Sequence, residues 1–283
     1  MTDCKNTTAA ADSRGILHPE AACFHLDRYA PSAELVPFVE RYWIIRWSLP
    51  PGTSRIEEVL SYPSVDLVFE RGRARVWGPQ TERLTRRFAG SGQVLGVKFK
   101  PGGFFPFTRV PMTFLANRSV SVSAAFDGCA GRCAAQLARS VETESNHKAV
   151  IDMAERFLRE RLPAADPSSQ LAAQFVSLAL HDWTRHDRTD ADVKCLAAQM
   201  QLSVRSLQRL FRRYVGVSPK WVLQRFRLMD VLAQFGSSGV SCAAIAADFG
   251  YSDQAHLIHD FRPRIGVTPA RYRRHASDSL YGN

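Results

Sequence analysis

The stretch "LAAQMQLSVRSLQRLFRRYVGVSP" at residues 196–219 recurs, in altered form, as "IAADFGYSDQAHLIHDFRPRIGVTP" at residues 245–269. The second copy has an additional residue after its predicted turn. In the first copy Leu207, Phe211 and Tyr214 are spaced for one face of a helix, and polar residues occupy the opposite face. The repeat therefore predicts an amphipathic helix that occurs twice in the same local setting.

Each copy also has the residue pattern of a helix-turn-helix motif. Ala197, Gln201 and Leu207 take the positions of the small residue, the turn residue and the buried residue. In the second copy Ala246 and Gly250 take the first two of these positions. Glycine suits the turn because it adopts a left-handed backbone without steric cost. Gln201 therefore predicts that the first turn differs slightly from the second.

The repeat also predicts where the second helix of each motif begins and ends. Ser203 precedes the first of these helices, where its hydroxyl can cap the free amides of the first turn. Gly216 and Gly266 suit the chain reversal that follows. A Ser-Pro or Thr-Pro pair then starts another helix.

The helix that starts at the Ser-Pro pair is predicted over residues 219–235. At 1.5 Å per residue its length is about 25 Å. With the bodies of the two motifs added, their second helices can lie about 34 Å apart, which is the spacing of successive major grooves on one face of DNA.

Residues 167–275 resemble the DNA-binding module of the AraC/XylS family of bacterial-type transcriptional regulators, in which one long helix joins two helix-turn-helix motifs. The resemblance rests on the two stretches quoted above and on "RLMDVLAQF" between them. It implies a regulator that binds specific sequences of double-stranded DNA, with one helix of each motif in a major groove. RNA polymerase is a further implied partner if the protein is an activator.

The resemblance implies, residue by residue, which side chains contact DNA. The base-reading candidates are Arg205, Gln208 and Arg209 in the first motif and, as corresponding positions in the second, Gln254, Ala255 and His259. The phosphate-contacting candidates are Ser203, Arg212, Arg213, Lys220, Ser252, Arg262 and Thr268. Arginine pairs with guanine and glutamine with adenine in the major groove. The alternative for each base-reading candidate is that it solvates its helix or touches phosphate only.

The second motif departs from the family pattern at Pro263, which stands where the first motif has Arg213. Proline lacks an amide donor and its ring clashes inside a helix, so we expect this helix to end at about Arg262. Ala255 offers a base only a methyl contact. We therefore expect the first motif to carry most of the sequence discrimination and the second to anchor phosphate.

The charge of the chain is positive and uneven. Its net charge is +10, with 37 Lys and Arg against 27 Asp and Glu. The stretch from Arg205 to Arg227 is rich in basic residues and has no acidic one. Such a run is either a solvated face or, if the fold gathers it on one surface, a site for nucleic-acid phosphates.

Residues 30–140 have a different pattern, in which apolar and polar residues alternate. "VDLVFE" and "RARVWG" flank Arg71-Gly72 as the strands of a hairpin would, and "YWIIRWSL" and "VLGVKFK" alternate in the same way. The predicted fold class is α+β. Residues 1–162 are predicted to form a mostly antiparallel β domain, either a small barrel or a sandwich. This domain ends with a trailing helix near residues 147–161, and a linker follows at residues 163–169. An all-α domain over 167–275 and a tail at 276–283 complete the chain.

The N-terminal part resembles, in "PSVDLVFE", "VWGPQ" and "VLGVKFKPGGFFPF", a domain of undefined function that precedes this DNA-binding module in other proteins. By analogy with the wider family it senses a small-molecule effector, forms a homodimer, or does both. The alternative is a domain that binds only protein. Its aromatic residues, Trp43, Trp47, Trp77, Phe104, Phe105 and Phe107, either fill a core or line a pocket. The apolar stripe of the helix near 147–161 either packs the domain or forms a dimer seam.

We expect no catalytic activity, cofactor or resident metal, and the distant alternative is an enzyme fused to a DNA-binding module. A metal-dependent barrel enzyme would need histidine ligands, and none occurs between Leu26 and Asn146. A P-loop and a GxSxG motif are also absent. Cys129 and Cys133 share a predicted helical face, but two ligands do not make a metal site, and we expect reduced thiols. Without a long apolar segment the chain is expected to be cytoplasmic and not membrane-bound.

Overall fold

The computed structural model of the chain describes residue 17 and residues 23–108, 110–126, 129–164, 166–184, 193–235 and 240–274. The predicted tail at 276–283 lies outside these residues. We call residues 23–164 the N-terminal region and residues 166–274 the C-terminal region. The first is built on β-sheets and the second is helical, as the α+β prediction requires.

The strands of the N-terminal region form two antiparallel sheets. They are β1 (Phe24–Tyr29), β2 (Val39–Ser48), β3 (Ser54–Leu60), β4 (Asp66–Glu70), β5 (Arg73–Trp77), β6 (Arg83–Ala89), β7 (Ser91–Phe99) and β8 (Ser119–Ser121). The larger sheet has the order β1-β2-β7-β4-β5-β8, and the smaller one pairs β3 with β6. Among the described residues β1 and β8 are the outermost strands of the larger sheet, and they do not pair with each other to close a barrel.

The predicted hairpin at Arg71-Gly72 is confirmed. It joins β4 to β5, and Glu70 pairs with Arg73 across the turn. Arg71 and Gly72 both have positive φ angles, 49° and 63°. A two-residue turn of this kind matches the right-handed twist of the flanking strands.

The two sheets pack on each other through one aromatic side chain of the smaller sheet. Phe88 on β6 is buried against Trp47 on β2, with ring centroids 5.0 Å apart, and against Val94 on β7. The arrangement is therefore two packed layers. Strand β3 pairs with β6 along its whole length, a partnership between distant segments that alternation of residues does not reveal.

The described part of the N-terminal region also has four α-helices, one before β8 and three after it: α1 (Met112–Leu115), α2 (Val122–Ala125), α3 (Ala130–Thr143) and α4 (His147–Arg159). The apolar stripe predicted near 147–161 lies on α4. Its residues Val150, Ala154 and Phe157 are buried in the core of the N-terminal region, and Met153 packs against that core. The stripe therefore packs the region internally, and the alternative of a dimer seam on this stripe is wrong.

The aromatic residues after β7 also belong to this core. Phe104 and Phe107 are buried, and both rings lie within 6 Å of the Phe99 ring, at centroid distances of 5.0 and 5.6 Å. Trp47 is buried between the sheets. Of the two alternatives for these residues, the structure supports the core. Phe105, in contrast, is only partly buried and packs on both regions.

The C-terminal region contains α5 (Pro167–Thr184), α6 (Val193–Gln199), α7 (Val204–Tyr214), α8 (Pro219–Phe235), α9 (Cys242–Asp248) and α10 (Gln254–Ile265). Residues 269–274 are also helical. The predicted long helix over 219–235 is confirmed as α8. The linker prediction at 163–169 is wrong for its last three residues, because α5 begins at Pro167, where proline suits the first turn of a helix.

The two regions share an apolar core where they meet. Leu60, at the end of β3, is buried in the same cluster as Phe226 of α8, and the Tyr62 ring lies 5.9 Å from the Phe226 ring. Leu17 belongs to this cluster, and its carbonyl oxygen accepts a hydrogen bond from the hydroxyl of Tyr272. The C-terminal helices therefore complete their core with residues from the start of the chain.

No helix among the described residues has both the length and the apolar composition that a bilayer span requires. The same residues hold no group of three or more His, Cys, Asp or Glu side chains placed to bind a metal ion. The Sγ atoms of Cys129 and Cys133 lie 4.0 Å apart at the start of α3.

Candidate nucleic-acid interface

Helix α7 has one buried face and one exposed basic face. Leu207 and Phe211 are fully buried, and the Phe211 ring lies 4.7 Å from the Phe175 ring of α5. On the other face the side chains of Arg205, Gln208, Arg209 and Arg212 are all exposed. Their spacing of three and four residues places them side by side along the helix. The structure therefore brings the first motif's base-reading candidates together on one surface.

The turns of the two motifs have the same geometry. Gln201 has a φ angle of 55° and Gly250 one of 67°, so both residues adopt the left-handed conformation. In each turn the following amide donates to the alanine carbonyl five residues earlier, from Leu202 to Ala197 and from Tyr251 to Ala246, both at 2.9 Å. The expectation of a different first turn is wrong. The fold imposes the left-handed conformation on glutamine, at a steric cost that glycine avoids.

The N-terminal caps of α7 and α10 show which residues of the two motifs occupy equivalent positions. The Ser203 hydroxyl accepts a hydrogen bond from the Ser206 amide at 3.1 Å, which confirms the predicted cap. Asp253 takes the same role in the second motif, since its carboxylate accepts from the His256 amide at 2.7 Å. Sequence analysis missed the Asp253 cap, although aspartate just before a helix is a favourable signal for one.

Aligned on these caps, the second motif differs from the sequence-based correspondence. Arg205 corresponds to Ala255 and Arg209 to His259. Gln254, however, is the first residue of α10 and corresponds to Val204, whereas Gln208 corresponds to the half-buried Ile258. The second motif therefore has a weaker set of polar groups at these positions than the first.

The predicted end of α10 at Arg262 is wrong. The helix continues through Pro263 to Ile265, and Gly266 ends it with a φ angle of 86° and an amide that donates to the Arg262 carbonyl at 2.8 Å. Proline fits here because its fixed φ is helical and only one hydrogen bond, to His259, is lost near the helix end. The buried Ile265 anchors this last turn.

The candidates of the second motif are accessible. Gln254, Ala255, His259 and Arg262 are exposed along α10. Ser252, just before the helix, is also exposed, and its amide donates to Nδ1 of His256 at 3.3 Å. These side chains are therefore accessible on the surface. Their contacts with DNA remain predictions.

A polar network that sequence analysis missed joins the second motif to α8. The Tyr251 hydroxyl donates to the Asp260 carboxylate at 3.0 Å, and Arg264 forms an ion pair with Asp260. Arg264 also donates to the Gln224 side chain of α8 at 3.3 Å. The guanidinium of Arg227, on α8, lies 5.2 Å from the centroid of the Tyr251 ring. Burial lowers the pKa of Arg264 and raises that of Tyr251, in keeping with a half-buried network.

The remaining phosphate candidates lie at the flanks of the motifs. Arg213 is exposed at the end of α7, with its guanidinium 5.5 Å from the ring centroids of both Phe105 and Tyr214. Lys220 is exposed in the first turn of α8. The Thr268 hydroxyl accepts from the Arg271 amide at 3.4 Å and is half-buried, as a cap of the helix at 269–274 would be.

The basic run from Arg205 to Arg227 does not form one surface. Arg225 of α8 is only 1% exposed and donates a hydrogen bond of 2.5 Å to the Thr81 carbonyl oxygen in the N-terminal region. Burial, with a smaller effect of the neighbouring Arg264, lowers the pKa of Arg225 to about 10. The exposed basic surface is therefore that of α7 and the start of α8, and Arg225 belongs to the junction of the two regions.

Residues 196–275 match the family of helix-turn-helix domains, over the two motifs and the long helix that joins them. The C-terminal region contains an AraC-type helix-turn-helix domain. Residues 27–121 match a separate family, a domain of unknown function named DUF6597. The AraC-type domain thus follows a region whose family has no assigned activity.

Two curated relatives that match the C-terminal region are described as transcriptional activators. The HTH-type transcriptional activator RhaS of Pectobacterium atrosepticum is 32% identical over 81 residues, which cover 29% of this chain and 29% of RhaS. The RCS-specific HTH-type transcriptional activator RclR of Escherichia coli is 25% identical over 142 residues, covering 41% of this chain and 50% of RclR. The chain thus spans half or less of the length of these relatives.

Two solved structures align with this chain at low TM-scores. The DNA-binding domain of AdpA in complex with a target DNA is 28% identical, with 42% of this chain and 99% of that chain covered and a TM-score of 0.35. ToxT from Vibrio cholerae is 10% identical, with 89% and 98% covered and a TM-score of 0.40. The assignment of the AraC-type domain rests on the sequence match and on the geometry of the two motifs.

Proposed function

We propose that the protein is a transcriptional regulator that binds specific double-stranded DNA sequences, with α7 and α10 in successive major grooves. One observation carries the proposal: Arg205, Gln208, Arg209 and Arg212 are exposed side by side on α7, while the opposite face of this helix is buried. Arginine and glutamine form bidentate hydrogen bonds with guanine and adenine edges in the major groove, each worth about 1–3 kcal/mol of discrimination.

The charge of α7 supports the same proposal. The helix has the sequence VRSLQRLFRRY, with arginine at four positions and no acidic residue. Such a helix attracts the phosphates on either side of a DNA groove. When it binds, it releases counterions that were condensed on the DNA. The length of α8, about 25 Å for its 17 residues, supports a separation of the two motifs close to one turn of DNA.

Selection of bound duplexes from a random pool, followed by sequencing, tests this proposal with the full chain. We expect two short boxes about 10 base pairs apart, centre to centre. A variant with Arg205, Gln208 and Arg209 all changed to alanine is expected to lose the first box. Arg156→Ala, at an exposed position on α4, is the matched control and is expected to select the same boxes as the parent. A pool without enrichment would contradict the proposal.

For the N-terminal region we propose the role of an effector-binding domain that controls the DNA-binding domain, with the boundary between them at residues 163–166. Its contacts with α7 and α8 support this role, because a change in one region reaches the other directly. We propose no catalytic role for the chain, and we place it in the cytoplasm, where RNA polymerase is a further partner if it activates transcription.

A second role of the N-terminal region is homodimerisation. The position of β1 as an outermost strand of the larger sheet, among the described residues, supports it, since an edge strand can pair with a strand from a second copy. Thermal-shift measurements with small metabolites and sedimentation of the free protein separate the two roles. A metabolite that raises the melting temperature supports the effector role, and a stable dimer that no metabolite affects supports the second.

A further inference from the structure

Helix α1 of the N-terminal region lies beside the basic face of α7. Pro111 and Thr113 line one side of a cleft, and Arg209, Arg212 and Arg213 line the other side. Arg209 is one of the base-reading candidates of the first motif. The N-terminal region therefore adjoins the surface of α7 that is proposed to face DNA.

Close packing of backbone holds α1 in this place. Gly216, just after α7, approaches α1 so closely that a Cβ atom on it would lie 2.4 Å from the carbonyl oxygen of Met112. The Phe105 ring also lies 4.5 Å from the Tyr214 ring of α7, centroid to centroid. Because packed backbone moves less readily than a surface side chain, we expect α1 to stay beside α7 when the protein binds DNA.

The outer surface of α1 carries an exposed aromatic side chain. Met112 and Leu115 are buried, whereas Thr113 and Phe114 are exposed. The chain has 17 phenylalanines, and the structure describes all of them. Phe114 alone among them is exposed, with 48% of its surface accessible. This ring is therefore available to a partner that lies next to α7.

An arginine stands next to this ring at a fixed position. The Cζ atom of Arg118 lies 4.8 Å from the centroid of the Phe114 ring. The Arg118 amide donates to the Leu115 carbonyl at 2.9 Å, and its carbonyl oxygen accepts from the Gly78 amide at 3.0 Å. Its side chain is exposed, and among the described residues it forms no ion pair with a carboxylate. An apolar ring and a cation are thus presented together.

The charge of the chain around α1 matches that of α7. Residues 91–126 contain basic residues and no acidic one, and the same is true of residues 205–227. The two segments meet at the cleft between Thr113 and Arg209. Charge complementarity therefore favours a polyanion as the partner of this surface.

The dimensions of the major groove place a DNA strand at α1. The groove is about 12 Å wide, and an α-helix with its side chains is about 10–12 Å across. A helix in the groove is therefore bordered by a sugar-phosphate strand on either side. A segment that packs beside such a helix, as α1 packs beside α7, lies against one of these strands.

We propose that the N-terminal region contacts DNA through Phe114 and Arg118. Arg118 binds a phosphate of the strand that borders the first box, and Phe114 packs on an adjoining deoxyribose. The inference rests on the proposed function, because it requires α7 to lie in a major groove. Contacts with sugar and phosphate do not read bases directly, so they raise the affinity for DNA and leave the preferred sequence unchanged.

Titrations of the selected duplex at several salt concentrations test the contact of Arg118. We expect Arg118→Ala to bind about three to ten times more weakly and to reduce the salt dependence by about one phosphate contact. Arg118→Lys keeps the charge and is expected to bind within about twofold of the parent. Arg156→Ala, which removes an exposed arginine from α4, is the matched control and is expected to bind like the parent. Unchanged affinity and salt dependence in Arg118→Ala would contradict the proposal.

Photo-crosslinking tests the position of Phe114 on the duplex. Benzoylphenylalanine replaces Phe114 in one protein and, as the control, Ile56 in another, because Ile56 is 65% exposed on β3. We expect position 114 to crosslink to nucleotides next to the first box and position 56 to give no crosslink. Equal crosslinks from both positions, none from position 114, or a crosslink from position 114 to a second protein chain instead of DNA would overturn the proposal.

The outcomes separate this proposal from the proposed function. If the parent selects a duplex that Arg118→Ala binds equally well and that position 114 does not crosslink, this contact fails and the proposed function stands. A weaker Arg118→Ala without a crosslink from position 114 would show that Arg118 acts through the fold, which also overturns the contact. If the parent selects no duplex, the proposed function fails, and the contact fails with it.

Discussion

Arg225 on α8 donates a 2.5 Å hydrogen bond to the carbonyl oxygen of Thr81, between residues that are 144 positions apart in the chain. The guanidinium is buried, and its Nε and Nη1 atoms have no hydrogen-bond partner among the described residues. The Cζ atom of Arg225 lies 4.8 Å from the ring centroid of Trp221. A buried cation with so few partners links the helix between the two motifs to the N-terminal region.

Replacing Arg225 by an apolar residue of similar length tests how this contact affects stability. We expect Arg225→Met to leave the free energy of unfolding unchanged or to raise it by about 1 kcal/mol, because it removes the desolvation cost of a poorly paired cation. Arg225→Lys keeps the charge on a shorter donor and is expected to be the less stable variant. Urea denaturation measures both. A loss of more than about 2 kcal/mol in Arg225→Met would show that the bond to Thr81 outweighs the cost of burial.

The left-handed conformation of Gln201 predicts a stabilising substitution. Gln201→Gly is expected to raise the free energy of unfolding by about 0.5–1 kcal/mol, because glycine adopts a φ angle of 55° without steric strain. The reciprocal change, Gly250→Gln, is expected to lower it by a similar amount. The two melting curves are the measurement, and a lower stability of Gln201→Gly would refute the interpretation.

The two glycines that follow α7 and α10, Gly216 and Gly266, allow a matched comparison. Both have φ angles near 90°, so alanine at either position is expected to cost about 1 kcal/mol. A Cβ atom at Gly216 meets the Met112 carbonyl at 2.4 Å, whereas at Gly266 it meets the end of the Arg83 side chain at 2.6 Å. Because a side chain can move and backbone cannot, Gly216→Ala is expected to lose a further 1–3 kcal/mol. Equal losses in denaturation would contradict this difference.

The two motifs are expected to respond differently to loss of an arginine. Arg209→Ala is expected to weaken binding to the selected duplex by about 1–3 kcal/mol and binding to a scrambled duplex much less. Arg262→Ala is expected to weaken both duplexes similarly and to reduce the salt dependence of binding by about one phosphate contact. Titrations of both duplexes at two salt concentrations decide the matter. Similar losses of specificity in the two variants would remove the proposed division of roles.

His147 gives the N-terminal region a predictable response to acid. Its Nδ1 atom lies 2.6 Å from the Tyr29 hydroxyl, and burial, together with Arg46, lowers its pKa below the ordinary value of 6.5. Because the unfolded chain binds the proton more readily, the stability contributed by neutral His147 is present above pH 6.5 and is lost as the pH falls through the lower, folded pKa. His147→Gln is expected to flatten the stability profile in this window. If the free energy of unfolding of the variant depends on pH as steeply as that of the parent, other groups cause the loss of stability in acid.

The sequence predicted best what depends on local pattern. The spacing of Leu207 and Phe211 predicted the buried face of α7, and the Arg71-Gly72 pair predicted a hairpin, because periodicity and turn chemistry act over a few residues. Pro263 shows the limit of such a rule, since a proline near a helix end costs one hydrogen bond and the burial of Ile265 holds the turn.

The parts that could not be predicted depend on contacts between distant segments. Arg225 and Arg209 belong to the same basic run, yet one is buried and the other exposed, because only the first meets Thr81 from the N-terminal region. The pairing of β3 with β6 arises in the same way. No window of sequence contains both partners of these contacts.

The burial of Leu17 and Leu60 among the C-terminal helices has a consequence for protein preparation. A fragment that begins at α5 would expose the apolar surface that these leucines cover. The burial of each leucine contributes about 1.5–3 kcal/mol to the free energy of folding, and the fragment would lack this contribution. We expect such a fragment to be less soluble and easier to digest with protease than the full chain. In practical terms, the C-terminal region of this protein is best purified together with the region that precedes it.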